Sequence, residues 1–323
     1  MIDSSERRLI SIENELAIAR KLQFSILPSA APGIPSLSIA VVYEPMTAVA
    51  GDFYDFIPID EHRVGFLVAD VSGHGVPAAL IASMIKVARQ TVNDCASDPA
   101  EVLNRLRSIL NQNLRGQFVS AAYLWIDTEA GLARYSAAGH PPLICWRFLD
   151  DELYRIESNG LLFGMDVDSE YPVREIPLAA GDRFLLYTDG VPEPENEAGE
   201  QFGDSRLEQV MRDNCPRTVA ELSKRLLAEI RVWKSQAITL HDDITLIAID
   251  ILDALPQLTT CRLRGCRGPS VSGLCGLVNS HLARPGLRVT LKSSLSRGPL
   301  RGIRIHCCRA CGGTAACHGC LAR

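Results

Sequence analysis

No run of about 18 apolar residues occurs in this sequence, so it offers no helix suited to spanning a bilayer. Its start, MIDSSERRLISIENELAIARK, lacks the unbroken apolar stretch and small-residue cleavage site of a secretion signal, and a cytoplasmic, membrane-free protein is the expectation. Aromatic residues are scarce, at 6%. Apolar residues nevertheless reach 47% and charged ones 22%, which allows a sizeable core and excludes disorder for most of the chain. Cysteine is thin in the first 252 residues, where only Cys95, Cys145 and Cys215 of the eleven occur. Basic charge is thin there too. Eleven of the 33 Lys and Arg, but one of the 38 acids, follow Leu252. The first 252 residues therefore carry 22 basic and 37 acidic groups, a net −15, and the remainder about +10. A body this acidic is a poor nucleic-acid binder, because phosphates are neutralised by clustered Lys and Arg.

The pattern of what is present predicts alternating strands and helices. Residues 6–27 read as a helix, with Leu9, Ile12, Leu16, Ala19 and Ile26 on one face, one skipped place at Gln23, and Pro28 as its stop. That face packs either on the body or on a partner helix. Segments 38–44, 64–70, 118–127, 131–137, 143–148, 153–157, 173–177, 183–188 and 244–251 read as strands; 76–94, 99–114, 204–213 and 217–232 read as helices. Irregular alternation of this kind predicts an α+β layered fold rather than a βαβ repeat. Charge and composition divide the chain into 1–28, 29–252 and a basic, Cys-rich tail at 253–323.

Four acids lie at strand ends beside small residues: Asp52 in AGDFYDF, Asp70 in FLVADVSGHG, Asp189 in FLLYTDGVPE and Asp242 in LHDDITLIAI. A lone Asp after a strand is usually a cap or turn former. Several meeting at one sheet edge repel one another and are costly to ionise without a cation. Oxygen ligands of this type suit Mg²⁺ or Mn²⁺, and two such ions clamp a water and a phosphoryl oxygen for in-line displacement. Gly73 and Gly75, on either side of His74, allow close backbone approach. Cys95, Cys145 and Cys215 sit in no loop resembling a phosphate cradle, which argues against a thiol-based phosphatase.

The ordered set AGDFYDF, ADVSGHGVPAAL, SAAGHPPL, LLYTDGVPE and DDITL resembles the PPM-type metal-dependent Ser/Thr phosphatases, in their bacterial SpoIIE/RsbU-like branch. The resemblance spans about residues 13–251 and includes ELAIARKLQFSILPS, which is similar to that branch's linker helix. It implies an α-β-β-α sandwich with two Mn²⁺ or Mg²⁺ ions at one edge. Asp70 is then the bridging carboxylate, Val71 offers its backbone carbonyl, Asp189 and Asp242 hold the other ion, and Asp52 supports the site. Asp243 caps the turn or holds a water beside the metals. His74 and His140 take structural roles. The implied reaction is hydrolysis of phosphoserine or phosphothreonine on a regulatory partner protein, of the anti-sigma-factor-antagonist type, by attack of a metal-bound water. An upstream sensor or activator, or a homodimer through the N-terminal helix, is implied as the control. The chain departs from the family pattern at Ala50, where a glycine is frequent, and at Pro192, where a threonine is; Glu193 is kept.

The tail matches nothing in that family. Cys308, Cys311, Cys317 and Cys320 form two CxxC pairs five residues apart, a spacing short for a zinc ribbon. A zinc site, contact with an acidic partner or nucleic acid, and a disordered, unselected extension all remain open for it, the last being favoured. The competing functional reading is a catalytically silent, phosphatase-like regulator that binds a signalling partner.

Overall fold

The computed structural model describes residues 4–157, 160–167, 169–234 and 242–253. The tail beyond 253, with its cysteine pairs, lies outside them. The strands in chain order are β1 (Leu37–Glu44), β2 (Phe53–Pro58), β3 (Arg63–Val71), β4 (Val119–Asp127), β5 (Leu132–Ala138), β6 (Leu143–Arg147), β7 (Glu152–Ile156), β8 (Arg174–Pro177), β9 (Arg183–Tyr187) and β10 (Ile244–Ile251). The helices are α1 (Ser4–Ile26), α2 (Val76–Arg89), α3 (Pro99–Leu110), α4 (Gly203–Asp213) and α5 (Val219–Trp233). One antiparallel sheet runs β1-β10-β9-β6-β7 and the other β2-β3-β4-β5-β8.

Period-two alternation assigns each strand's residues to two different cores. On β10, Ile247, Ile249 and Ile251 enter the core between the sheets, with Phe66, Val68 and Leu124 of the other sheet. Ile244, Leu246 and Ala248 face outward to Leu207 of α4 and Leu226 of α5. On β3, Leu67, Ala69 and Val71 pack against Ile85 of α2 and Leu103 of α3. Both faces are covered, so these strands read as solid apolar runs instead of alternating ones. The result is the expected four-layer α-β-β-α sandwich. Among the described residues, no helix is long and apolar enough to cross a membrane.

Local chemistry sets the helix starts. Asp98 caps α3 by accepting from the N–H groups of Ala100 and Glu101, with Pro99 in the first turn. Thr218 and Glu221 form a capping box on α5. The predicted helix 76–94 is shorter: α2 ends at Arg89 and a 3₁₀ turn continues over Gln90–Cys95. α3 likewise passes into a 3₁₀ turn at Asn111–Asn113.

Two expectations need correction. β2 was not foreseen, because Asp55 interrupts its apolar run. The interruption is compensated: buried Asp55 accepts from Lys86 at 2.9 Å and lies 2.9 Å from Nε of Arg89, both on α2. The supposed packing face of α1 is only half used. Leu9 and Ile12 are 61% and 45% exposed. Leu16, Ala19 and Ile26 are partly buried, and the skipped place, Gln23, is the one fully buried.

Tyr123 of β4 donates to the Ala96 carbonyl at 2.8 Å and passes over Gly65 of β3, where an added Cβ would lie 1.9 Å from its hydroxyl oxygen. Gly65→Ala is expected to lower urea-unfolding stability by about 2–3 kcal/mol. In a Tyr123→Leu background the loss is expected to shrink, because the ring carbons at 2.5 and 2.8 Å are gone together with the oxygen. Equal losses in the two backgrounds would refute this packing account.

Candidate metal centre

The apolar runs that build the sheets deliver three acids to one cleft of about 600 Å³. Asp70 comes at the end of β3, Asp189 two residues after β9, and Asp242 two residues before β10. All three line the cleft with Val71 and Ser72. Burial raises the Asp70 carboxyl to about 8, reinforced by repulsion from Asp189 and Asp242. Burial raises Asp242 to about 6, with Asp189 adding to it. Asp189 is raised by burial and then by Glu193. Its Oδ1 is buried with no hydrogen-bond partner.

Glu193 was noted in the sequence only as a retained residue. It belongs to the same electrostatic cluster, since its charge raises both Asp70 and Asp189. A turn brings it there, closed by Glu193 N–H donating to the Asp189 carbonyl at 3.0 Å. The signal was its four-residue spacing from Asp189.

Glycines shape the turns beside the cleft. Gly75 precedes α2 at φ 77°, ψ −152°, a region essentially restricted to glycine. At Gly51 an added Cβ would come within 2.9 Å of the Val71 carbonyl oxygen, so the absence of a side chain leaves that oxygen uncrowded.

The other two predicted acids lie behind the cleft instead of lining it. Asp52 is 1% exposed, and its Oδ2 accepts from Thr188 at 2.8 Å and Thr245 at 2.5 Å. It thereby joins the entry of β2 to the opposite sheet. Burial and repulsion from Asp70 hold its carboxyl well above the usual carboxylate range. Asp243, read from the sequence as capping the turn or holding a water beside the metals, turns away from its neighbour Asp242. Its Oδ1 accepts from the Met46 N–H at 2.6 Å, and its Oδ2 from the N–H groups of Gly51 at 2.7 Å and Asp52 at 3.5 Å. Both oxygens are taken by the loop that carries Asp52, so Asp243 clamps that loop.

The histidines take places consistent with structural roles. His140 is buried, and a ring nitrogen pairs with Ser120 Oγ at 2.7 Å on the cleft wall. Burial depresses its pKa to about 3, so it is neutral at physiological pH. His74 is exposed and lowers Asp242 by its proximity.

Among the described residues, no three His, Cys, Asp or Glu side chains close around one point at ligand distance. The acids ring the cleft. That spacing suits Mg²⁺-like ions, which keep several waters and take one or two carboxylates each. The donor set is all oxygen, mutually repelling, and includes an orphaned buried oxygen on Asp189. These residues fit divalent cations.

Comparison with known proteins agrees with this geometry. A family model described as Stage II sporulation protein E (SpoIIE) matches residues 60–252. The phosphoserine phosphatase RsbU of Bacillus subtilis (strain 168) is 30% identical over 239 residues, covering 74% of this chain and 70% of its own. The phosphoserine phosphatase RsbP of the same organism is 28% identical over 247 residues, covering 75% of this chain and 59% of its own. The solved SiaA-PP2C domain of Pseudomonas aeruginosa superposes with a TM-score of 0.68 at 24% identity, over 75% of this chain and 98% of that domain. A match running through more than half of the sequence, on a sandwich that gathers acids from three separated motifs, makes this chain a member of the SpoIIE family of PPM-type protein phosphatases.

Proposed function

We propose that the chain hydrolyses phosphoserine or phosphothreonine on a regulatory partner protein, with two divalent cations held in the cleft. The reading rests on one observation: Asp70, Asp189 and Asp242 converge there with their carboxyls raised by burial and mutual repulsion. Asp70, Asp189 and Asp242, with the backbone carbonyl of Val71, would hold the ions. Mn²⁺ or Mg²⁺ bound there supplies Lewis acidity toward water and phosphoryl oxygen. Among the described residues no Lys or Arg lines the cleft, so the protein itself offers little fixed positive charge to a phosphate dianion. Asp52 and Asp243 position the loop beside the site. His140 fixes Ser120 in the wall.

Control through α1 belongs to the same proposal. Gln23 donates to the Ala50 carbonyl at 2.7 Å and accepts from the Ala50 N–H at 2.9 Å, next to Gly51 and Asp52. Farther up, Leu9 and Ile12 are exposed, and in this reading they pair with a second copy or an upstream activator.

The test is phosphate release from a phosphoserine protein by the purified chain with Mn²⁺, before and after chelation. Turnover that disappears on chelation and returns with metal is expected. Deleting residues 1–25 is expected to change the rate, and to lower the mass measured by light scattering if α1 pairs with a second copy. Partner binding without any metal-dependent turnover would favour the silent-regulator reading instead.

A further inference from the structure

The cleft is far larger than a phosphoryl group requires; about 600 Å³ is the size of a site for a whole small ligand. Its walls differ in chemistry. One carries Asp70, Asp189 and Asp242, whereas another presents Phe118, Pro141 and Leu162. Phe118 is 40% exposed, yet its backbone is fixed. Its N–H donates to Ser72 Oγ and its carbonyl accepts from the Ser72 N–H, each at 2.9 Å. The segment bearing Leu162 is pressed against the same turn. Phe163 and Val119 exchange backbone hydrogen bonds at 2.9 and 3.1 Å. At Gly164, φ 95°, an added Cβ would lie 2.5 Å from the Gln117 carbonyl oxygen. A rigidly mounted, solvent-exposed aromatic beside a reactive centre is the form of a recognition anchor.

Given the phosphatase reading above, on which this step rests, we propose that the Phe118–Pro141–Leu162 wall receives an apolar side chain flanking the phosphoserine of the substrate protein. The wall is continuous with the carboxylate-lined part of the same cleft. A seryl phosphate held at the acids therefore brings its chain neighbours against the walls. An apolar neighbour removes Phe118 and Leu162 from water. An acidic neighbour leaves them wet. The wall thus selects for sequence next to the phosphate, a task the acids do not perform.

The experiment uses the full chain with Mn²⁺ and three substrates: free O-phosphoserine and two phosphoserine peptides bearing either Leu or Asp on both sides of the phosphoserine. The wild type is expected to favour the Leu peptide by about tenfold or more in kcat/KM. Phe118→Ala is expected to bring that ratio to within about twofold, chiefly through KM, and Leu162→Ser to reduce it in the same direction. Equal turnover of the two peptides by the wild type overturns the proposal, as does a preference that survives both substitutions. Failure of the wild type on all three substrates is a different result, because it removes the phosphatase reading itself.

Discussion

Asp70→Asn is expected to abolish metal-dependent phosphate release, by about 10³-fold or more, while raising the stability of the metal-free protein. The two effects share one cause. The Asp70 carboxyl lies at about 8 in the folded chain against 3.8 for the free side chain, through burial and the nearby Asp189 and Asp242. Below pH 3.8 it is protonated in both folded and unfolded states and carries no penalty. As pH rises from there to about 8, the unfolded chain gives up the proton and the folded chain keeps it. The unfolded state is favoured progressively, and above about 8 the loss is complete. Asp242, raised to about 6, adds to the loss over the lower part of that window. The metal-free wild type is therefore expected to lose several kcal/mol between pH 4 and 8. Asn has no charge to bury, so the variant escapes Asp70's share, and its advantage grows with pH. Divalent cations reverse the order, since they favour the ionised wild-type acids. Thermal unfolding at pH 5 and pH 8, in chelator and in Mn²⁺, measures all of this. A variant no more stable than wild type at pH 8 in chelator would mean that the acids do not repel one another as described.

Asp243→Ala is expected to have the opposite effect on stability. Its carboxylate accepts from the backbone N–H groups of Met46 and Gly51, with Asp52 at longer range. Removing it leaves those donors without an acceptor in a buried place. A hydrogen bond to a charged group contributes about 1.5–3 kcal/mol, so a loss of roughly 3–5 kcal/mol is expected. Asp243→Asn recovers only part, because one amide atom accepts and the other turns a second donor toward an N–H. Mn²⁺ affinity, read by calorimetry, is expected to weaken in both variants as the 46–52 loop relaxes. An unfolding free energy within about 1 kcal/mol of wild type would refute the clamp.

The contrast between these two acids marks how far the sequence could be read. β3, β9 and β10 were legible because strands covered on both faces form unbroken apolar runs, and the acids at their ends were legible for the same reason. β2 was not, since a charge paired from another element looks from the sequence like a break. The strand pattern did not say which of Asp242 and Asp243 faces the cleft; the family resemblance alone assigned Asp242 to an ion and Asp243 to a turn or a water. Adjacent residues entering a strand point to opposite sides, and only the register of β10 resolves them. Asp243 shares its side with Thr245 and Ile247, toward the other sheet, and Thr245 in turn reaches Asp52. The face of α1 was legible only in part, because its contact with the body also runs through polar side chains, the Gln23 amide on Ala50 and the Arg20 guanidinium on the Thr47 and Ala48 carbonyls. An apolar-periodicity argument skips such positions by construction.

Gln23 makes a two-sided contact with the loop before β2. Its single amide answers both backbone groups of Ala50, giving a hydrogen to one and taking a hydrogen from the other. One turn away on the same line of α1 stands Ala19, whose side chain does neither job. A screw of the helix by one turn would strand two peptide groups at once, with no intermediate setting that satisfies one and then the other. The seat of α1 is therefore discrete, a latch that is either closed or open rather than a graded sliding contact.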